Sequence, residues 1–99
     1  IMVAHNSAFD QKFIDAAVKR CNIKNSPFHL FSTLDTVSLG ALAYGQTVLS
    51  RCCKSAGIEF NTNKAHSSRY DATVTAKLFC KIINDWQTAI GGSIHINEE

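Results

Sequence analysis

The stretch IMVAHNSAFD, residues 1–10, changes character halfway along. Residues 1–4 are a short apolar run and read as a buried strand. From His5 the pattern becomes helical. HNSAFDQKFIDAAVKRCNI, residues 5–23, spaces Phe13, Ile14, Ala17 and Cys21 at close to a 3.6-residue period. A strand thus leads straight into a helix.

Working outward, KNSP ends this helix with the chain's one proline, Pro27. FHLFSTLDT, 28–36, reads as a second short strand or extended segment. VSLGALAYG, 37–45, is a small-residue helix closing at Gly45. TVLSRCCKSAG, 47–57, is a further helix with Thr47 as its expected N-cap and Gly57 as its C-cap. IEFNTNKAHSS is a polar loop. SRYDATVTAKLFCKIINDWQTAIGG, 68–92, is a long helix stopped by Gly91 and Gly92. The body is 1–92, and 93–99 is expected to be a flexible tail. Two short strands do not make a stable open sheet alone. The expectation is therefore a piece of a longer chain, completed by a strand-rich N-terminal segment.

At 99 residues and 45% hydrophobic content, the chain is one domain at most and too apolar for disorder. No apolar run approaches the ~20 residues of a membrane span, and IMVAH lacks the basic region of a signal peptide. Charge is uneven. Residues 1–81 carry ten bases against five acids, a net +5, and the last eighteen carry three acids and no base. A basic body permits a polyanionic partner, although a solvated face accounts for most such charges. Cys21, Cys52, Cys53 and Cys80 form no C-x-x-C and match neither a disulfide framework nor a zinc knuckle. They read as buried, reduced thiols of a cytosolic protein.

AHSSRYDA, 65–72, sets His66 and Asp71 five residues apart. On one helix that spacing points them ~140° away from each other. Placing Ser67 or Ser68 at the N-cap resolves it. Asp71 then lies fixed in the first turn, and His66 lies on the preceding loop, able to fold back over the helix end. A fixed carboxylate suits a metal ligand, and a mobile imidazole suits a proton shuttle. Capping competes with this, since Ser68-x-x-Asp71 and Ser7-x-x-Asp10 both fit a capping box. Yet Asp71 is in line with Thr75, Leu78, Ile82 and Trp86, and Asp10 with Phe13, Ile14, Ala17 and Cys21. A carboxylate heading an apolar stripe costs several kcal/mol of desolvation unless something compensates it. A divalent cation would do so.

MVAHNSAFD and AHSSRYDA resemble the second and third motifs of the DEDD exonucleases, in the subclass with His five residues before the last Asp. NSPFHLFSTLDT and ALAYGQTVLSRCCKSAG narrow the resemblance to ribonuclease T-like members. It runs from Ile1 to about Gly92 and covers their C-terminal half. The resemblance implies a ribonuclease H-like α/β fold, of which this chain is an incomplete C-terminal portion. It also implies two Mg²⁺ ions cutting phosphodiesters from the 3′ end. Asp10 and Asp71 would be metal ligands, and His66 the general base. Phe9 and Phe31 would stack on the terminal bases, and Lys24 would belong to a substrate-binding patch. Single-stranded RNA or DNA 3′ ends are the implied partners. A homodimer is implied too, each subunit's basic patch serving the other's site, and Lys19, Arg20 and Lys24 cluster as such a patch would.

The family's first motif, Asp-x-Glu, occurs nowhere in the 99 residues. The chain alone is therefore expected to be inactive. A non-catalytic nucleic-acid-binding or dimerisation fragment is the alternative in a different class; a proofreading DNA exonuclease or oligoribonuclease is the alternative within the fold. Phe13 and Phe79 are expected in the core, Asp35 as a helix cap, and His29 and His95 on the surface. His5 and Asn6 sit beside the site with no catalytic role expected.

Overall fold

The computed structural model describes residues 1–28, 32–94 and 96. Phe31 and His29 lie outside the described residues, as do His95 and 97–99 of the expected tail. The elements run β1 (Met2–Ala4), α1 (Ser7–Arg20), β2 (Thr33–Asp35), α2 (Thr36–Tyr44), α3 (Leu49–Ala56) and α4 (Ser68–Ile90). This is the expected sequence of two strands and four helices.

β1 and β2 pair in parallel, with Met2 opposite Thr33, Val3 opposite Leu34 and Ala4 opposite Asp35. Parallel strands need a long crossover, and α1 lies within it. Side chains alternate along β1, so Met2 and Ala4 are buried and Val3 is exposed. Helix ends follow local chemistry. Gly45, Gly57 and Gly91 terminate α2, α3 and α4 in left-handed conformations, each donating its N–H back into the last turn.

α4 is the spine, 23 residues or about 35 Å long, and α2, α3 and β1 all pack on it. Its buried residues Val74, Thr75, Leu78 and Ile82 recur at helical period. Leu78 and Ile82 join Cys52 of α3 in the core, and Leu39, Tyr44, Leu49, Ala56 and Ile58 pack around them.

Four expectations are corrected. Phe13 is 63% exposed and does not belong to the core. The inward stripe of α1 is instead Ser7, Asp10, Gln11, Ile14, Ala17 and Val18, which is a cleaner 3.6 period. Phe13 lies outward, edge-to-face with Phe9 one turn earlier. Cys21 and Cys80 are exposed, and only Cys52 and Cys53 are buried. Burial pushes both of those thiols up from their ordinary value, with the Cys52 thiol adding to the effect on Cys53. Trp86, placed on the stripe of α4, is 52% exposed because that stripe outruns the elements packed on it. Thr47 is not the cap of α3. The helix starts at Leu49 with Val48 at its cap position and no side-chain cap bond, which leaves Thr47 one residue too far out. Phe79 is half-buried.

Gly40 sets how closely α2 approaches α3. A Cβ there would stand 2.6 Å from Cys52 Sγ and 2.9 Å from the Gln46 carbonyl oxygen. Cys52 Sγ–H donates to that same carbonyl at 3.2 Å, so neither group can yield freely. Alanine inside a helix ordinarily stabilises by about 0.5–1 kcal/mol relative to glycine. Gly40→Ala is expected to reverse the sign and destabilise by about 1–3 kcal/mol through overpacking. Urea denaturation measures this, and an unchanged or higher midpoint would show that α2 and α3 are not in close register.

Candidate active site

β1 delivers the chain into a tight turn before α1. Asn6, at the cap position of α1, is left-handed (φ 68°) and makes no side-chain cap bond. The free amides of this helix end are satisfied from across the sheet. Asp35 Oδ1 accepts from Asn6 N at 2.9 Å, and Oδ2 accepts from Ser7 N at 2.8 Å and Ser7 Oγ at 3.1 Å. Oδ1 also accepts from Val37 N at 2.9 Å, capping α2 as expected. One carboxylate thus caps two helices. Burial alone would raise the Asp35 pKa, but these four hydrogen bonds outweigh it and hold it below the ordinary carboxylate value.

A second tie comes from His5. Its Nδ1 lies 2.8 Å from Thr36 Oγ1 and its Nε2 lies 2.8 Å from the Thr47 carbonyl oxygen. A carbonyl only accepts, so Nε2 carries a proton. The turn before α1 is therefore bonded to the start of α2 and to the loop between α2 and α3.

On this anchored helix, Asp10 sits half-buried in the first turn. Its neighbour Phe9 faces outward, 59% exposed, with its ring centroid 5.0 Å from that of Phe13. At the other helix start, Asp71 is half-buried in the first turn of α4, in line with buried Thr75, Leu78 and Ile82. A helix N-terminus favours a carboxylate by about 0.3–1 kcal/mol, which offsets part of the burial cost at both sites.

His66 stands just before α4, exposed and left-handed (φ 72°). Its backbone N–H donates to Asp71 Oδ1 at 3.3 Å, so the loop folds back over the helix end and the two residues meet. The capping boxes do not form. Ser67 is the cap residue of α4 and makes no side-chain cap bond. Ser7 lies inside α1 rather than before it, and its hydroxyl is engaged with Asp35 and Thr33. Lys24 is exposed on the loop after α1.

No group of three or more His, Cys, Asp or Glu side chains able to hold a metal ion occurs among the described residues. Asp10 and Asp71 nevertheless suit a hard cation. Mg²⁺ commonly takes one or two carboxylates and completes its shell with water and substrate phosphate. Among the described residues, Asp71 keeps Oδ2 free of protein hydrogen bonds, as Asp10 keeps both oxygens.

The RNase T exonuclease family model matches residues 1–79, from β1 through Phe79 of α4. The chain belongs to the RNase T exonuclease family. It is 57% identical over all 99 residues to "Ribonuclease T" of Vibrio parahaemolyticus serotype O3:K6, covering 46% of that protein. It is 52% identical over 99 residues to "Ribonuclease T" of Vibrio cholerae serotype O1, covering 44% of it. With "Ribonuclease T" of Buchnera aphidicola subsp. Schizaphis graminum it shares 51% over 98 residues, 99% of the chain and 45% of that protein. The chain thus spans a little under half the length of these RNase T relatives.

Asp35 was legible only as a cap of α2. Its bonds to Asn6 and Ser7 cross 29 and 28 residues, so no local pattern carries them. The same holds for His5. An asparagine at 35 keeps the shape but loses the charge and one acceptor, and Asp35→Asn is expected to cost about 1–2 kcal/mol at pH 7. A carboxylate with a depressed folded pKa contributes fully above its unfolded value of 3.8 and loses that contribution as pH falls through the folded pKa. Denaturation midpoints of the two proteins should therefore converge below about pH 4. A gap independent of pH would show that the charge of Asp35 does not hold the junction.

Proposed function

We propose that this chain is the C-terminal portion of a 3′–5′ exoribonuclease with a ribonuclease H-like fold that trims RNA 3′ ends, as in tRNA maturation. The observation that carries the reading is the hydrogen bond from His66 N–H to Asp71 Oδ1, which joins the two residues of the third motif at one helix end. Family membership and the ribonuclease names of the relatives support it.

Asp10 and Asp71 would hold divalent metal, Mg²⁺ in this reading, with the remaining ligands supplied by the part of the relatives' length that these residues do not span. The bound cations would supply charge stabilisation at the phosphodiester undergoing hydrolysis. His66 accepts the proton of the attacking water. Its ring has no hydrogen-bond partner among the described residues and stays available, while its backbone is tied to Asp71. Phe9 offers an exposed ring beside Asp10 for a terminal base, a contact worth ~1–3 kcal/mol. Phe31, outside the described residues, is proposed for the same role, and Lys24 for the phosphates. A cytosolic setting fits four free cysteines, two of them exposed. No described helix is long and apolar enough to cross a membrane.

The exposed bases Lys19, Arg20 and Lys24 at the end of α1 fit the homodimer of this reading, in which one subunit's patch serves the other's site. Sedimentation of the complete protein as an active monomer at micromolar concentration would refute that arrangement.

The catalytic assignment is tested in the complete protein. His66→Ala should lower turnover at saturating Mg²⁺ by about 10²–10⁴-fold while leaving Mg²⁺ binding largely intact. Asp71→Asn should weaken Mg²⁺ binding itself. Calorimetric titration of Mg²⁺ separates the two effects. Near-normal turnover in His66→Ala, or metal loss equal to that of Asp71→Asn, would overturn the division of roles. The 99 residues alone should leave 3′-labelled single-stranded RNA intact. Shortening that Asp71→Asn abolishes would show that they carry a whole site.

A further inference from the structure

Around the end of α4 from Asp71 lies an open recess of about 360 Å³, lined by Asn63, Lys64, Ser67, Arg69, Tyr70 and Thr73. Nothing in the exonuclease reading uses it. Lys64 and Arg69 give it two cations. No carboxylate lines it, and neither cation has an ion-pair partner among the described residues, where Lys81 and Asp85 form the pair that is seen. The Asn63 amide and the Ser67 hydroxyl, both without side-chain hydrogen bonds among the described residues, add neutral donors. The Thr73 hydroxyl spends its proton on the Arg69 carbonyl at 2.8 Å.

The wall that carries Lys64 is held in shape. Asn63 N donates to Asn61 Oδ1 at 2.9 Å, Lys64 N to the Asn61 carbonyl at 3.0 Å and Ser67 N to the Lys64 carbonyl at 3.3 Å. Asn61 N in turn donates to Tyr70 Oη at 2.6 Å, and the Tyr70 ring packs edge-to-face on Phe60 at 5.8 Å. The loop is thus bonded to α4 through the same tyrosine that lines the recess. Two exposed cations without ion-pair partners among the described residues, on the rim of one recess, favour an anion there over a cation or a neutral group.

We propose that this recess binds a backbone phosphate of the single-stranded substrate, upstream of the 3′ end that is cut. The inference rests on the exonuclease reading and assigns that site a further subsite. His66 stands between two lining residues, Ala65 and Ser67, so the recess adjoins the loop that carries His66. The recess is not at the chemistry. Arg69 and Thr73 lie on the side of α4 away from Asp71, about 160–200° around the helix. It therefore contributes uniform binding, which alters KM and affinity rather than turnover.

The test measures binding of a fluorescent single-stranded RNA to the complete protein by anisotropy across a salt series, without Mg²⁺. Lys64→Ala/Arg69→Ala should weaken binding about tenfold at low salt and flatten the slope of log K against log salt by about 1.4. Lys54→Ala/Lys77→Ala, two exposed lysines outside the recess, should change neither. With Mg²⁺, the first variant should raise KM with kcat unchanged. Lys64→Gln/Arg69→Gln, with unchanged melting temperature, should repeat the result and exclude misfolding as its cause. If the unsubstituted protein binds and trims RNA but both recess variants keep its affinity and salt slope, the subsite is wrong and the exonuclease reading stands. If the unsubstituted protein binds no RNA, both are wrong.

Discussion

The carboxylate of Asp35 ties the heads of α1 and α2 to the end of β2. It stands at the last position of β2, where parallel pairing sets it opposite Ala4. From there it reaches the amides of Asn6 and Ser7 at the head of α1 and the amide of Val37 at the head of α2. Two helix N-termini each present unsatisfied donors and partial positive charge, and a single anion between them answers both. The direction in which α1 leaves the sheet, and hence where Phe9 and Asp10 stand, follows from that bond set. His5 adds a brace on the other side of the turn through Thr36 and Thr47. A strand of three residues could not orient a helix of 14 residues by pairing alone.

The second half is organised differently. α4 is fixed by apolar burial along one face, with Leu78 fully enclosed and Val74, Thr75 and Ile82 around it. Close approach of α2 at Gly40 and a buried Cys52 complete that core. Its N-terminal turn lies beyond the densest packing, so the loop of residues 58–67 can be shaped by hydrogen bonds instead. The 2.6 Å bond from Asn61 N to Tyr70 Oη and the His66–Asp71 bond place that loop over the helix end. Apolar packing thus supports α4 from below, and a polar, hydrogen-bonded loop covers its N-terminal end.

Where sequence reading failed, it failed for packing reasons. Phe13 reads as core because it is large and near the right period. Yet α1 turns its smaller residues Ile14, Ala17 and Val18 toward the strands and leaves both phenylalanines outside. Apolarity marks a helix face only to within one residue's rotation, and about 100° separates the two choices. Cys21 belongs to the same misread stripe, whereas the burial expected of Cys80 rests on cysteine spacing, which carries no information about a helix face. Thr47 was misplaced because a cap residue works only when the helix begins immediately after it.

The sequence by itself determined the order and type of the described elements, the glycine stops and the polar loop. These are local or periodic signals, carried by residues a few positions apart. Tertiary structure alone decided that Asp35 caps a helix start 28 residues away, that His5 is a brace rather than a bystander, and that Lys64 and Arg69 line one recess. Hydrogen bonds between distant segments depend on the register of β1 with β2 and on how the loop before α4 packs on Tyr70, and neither leaves a repeating mark along the chain.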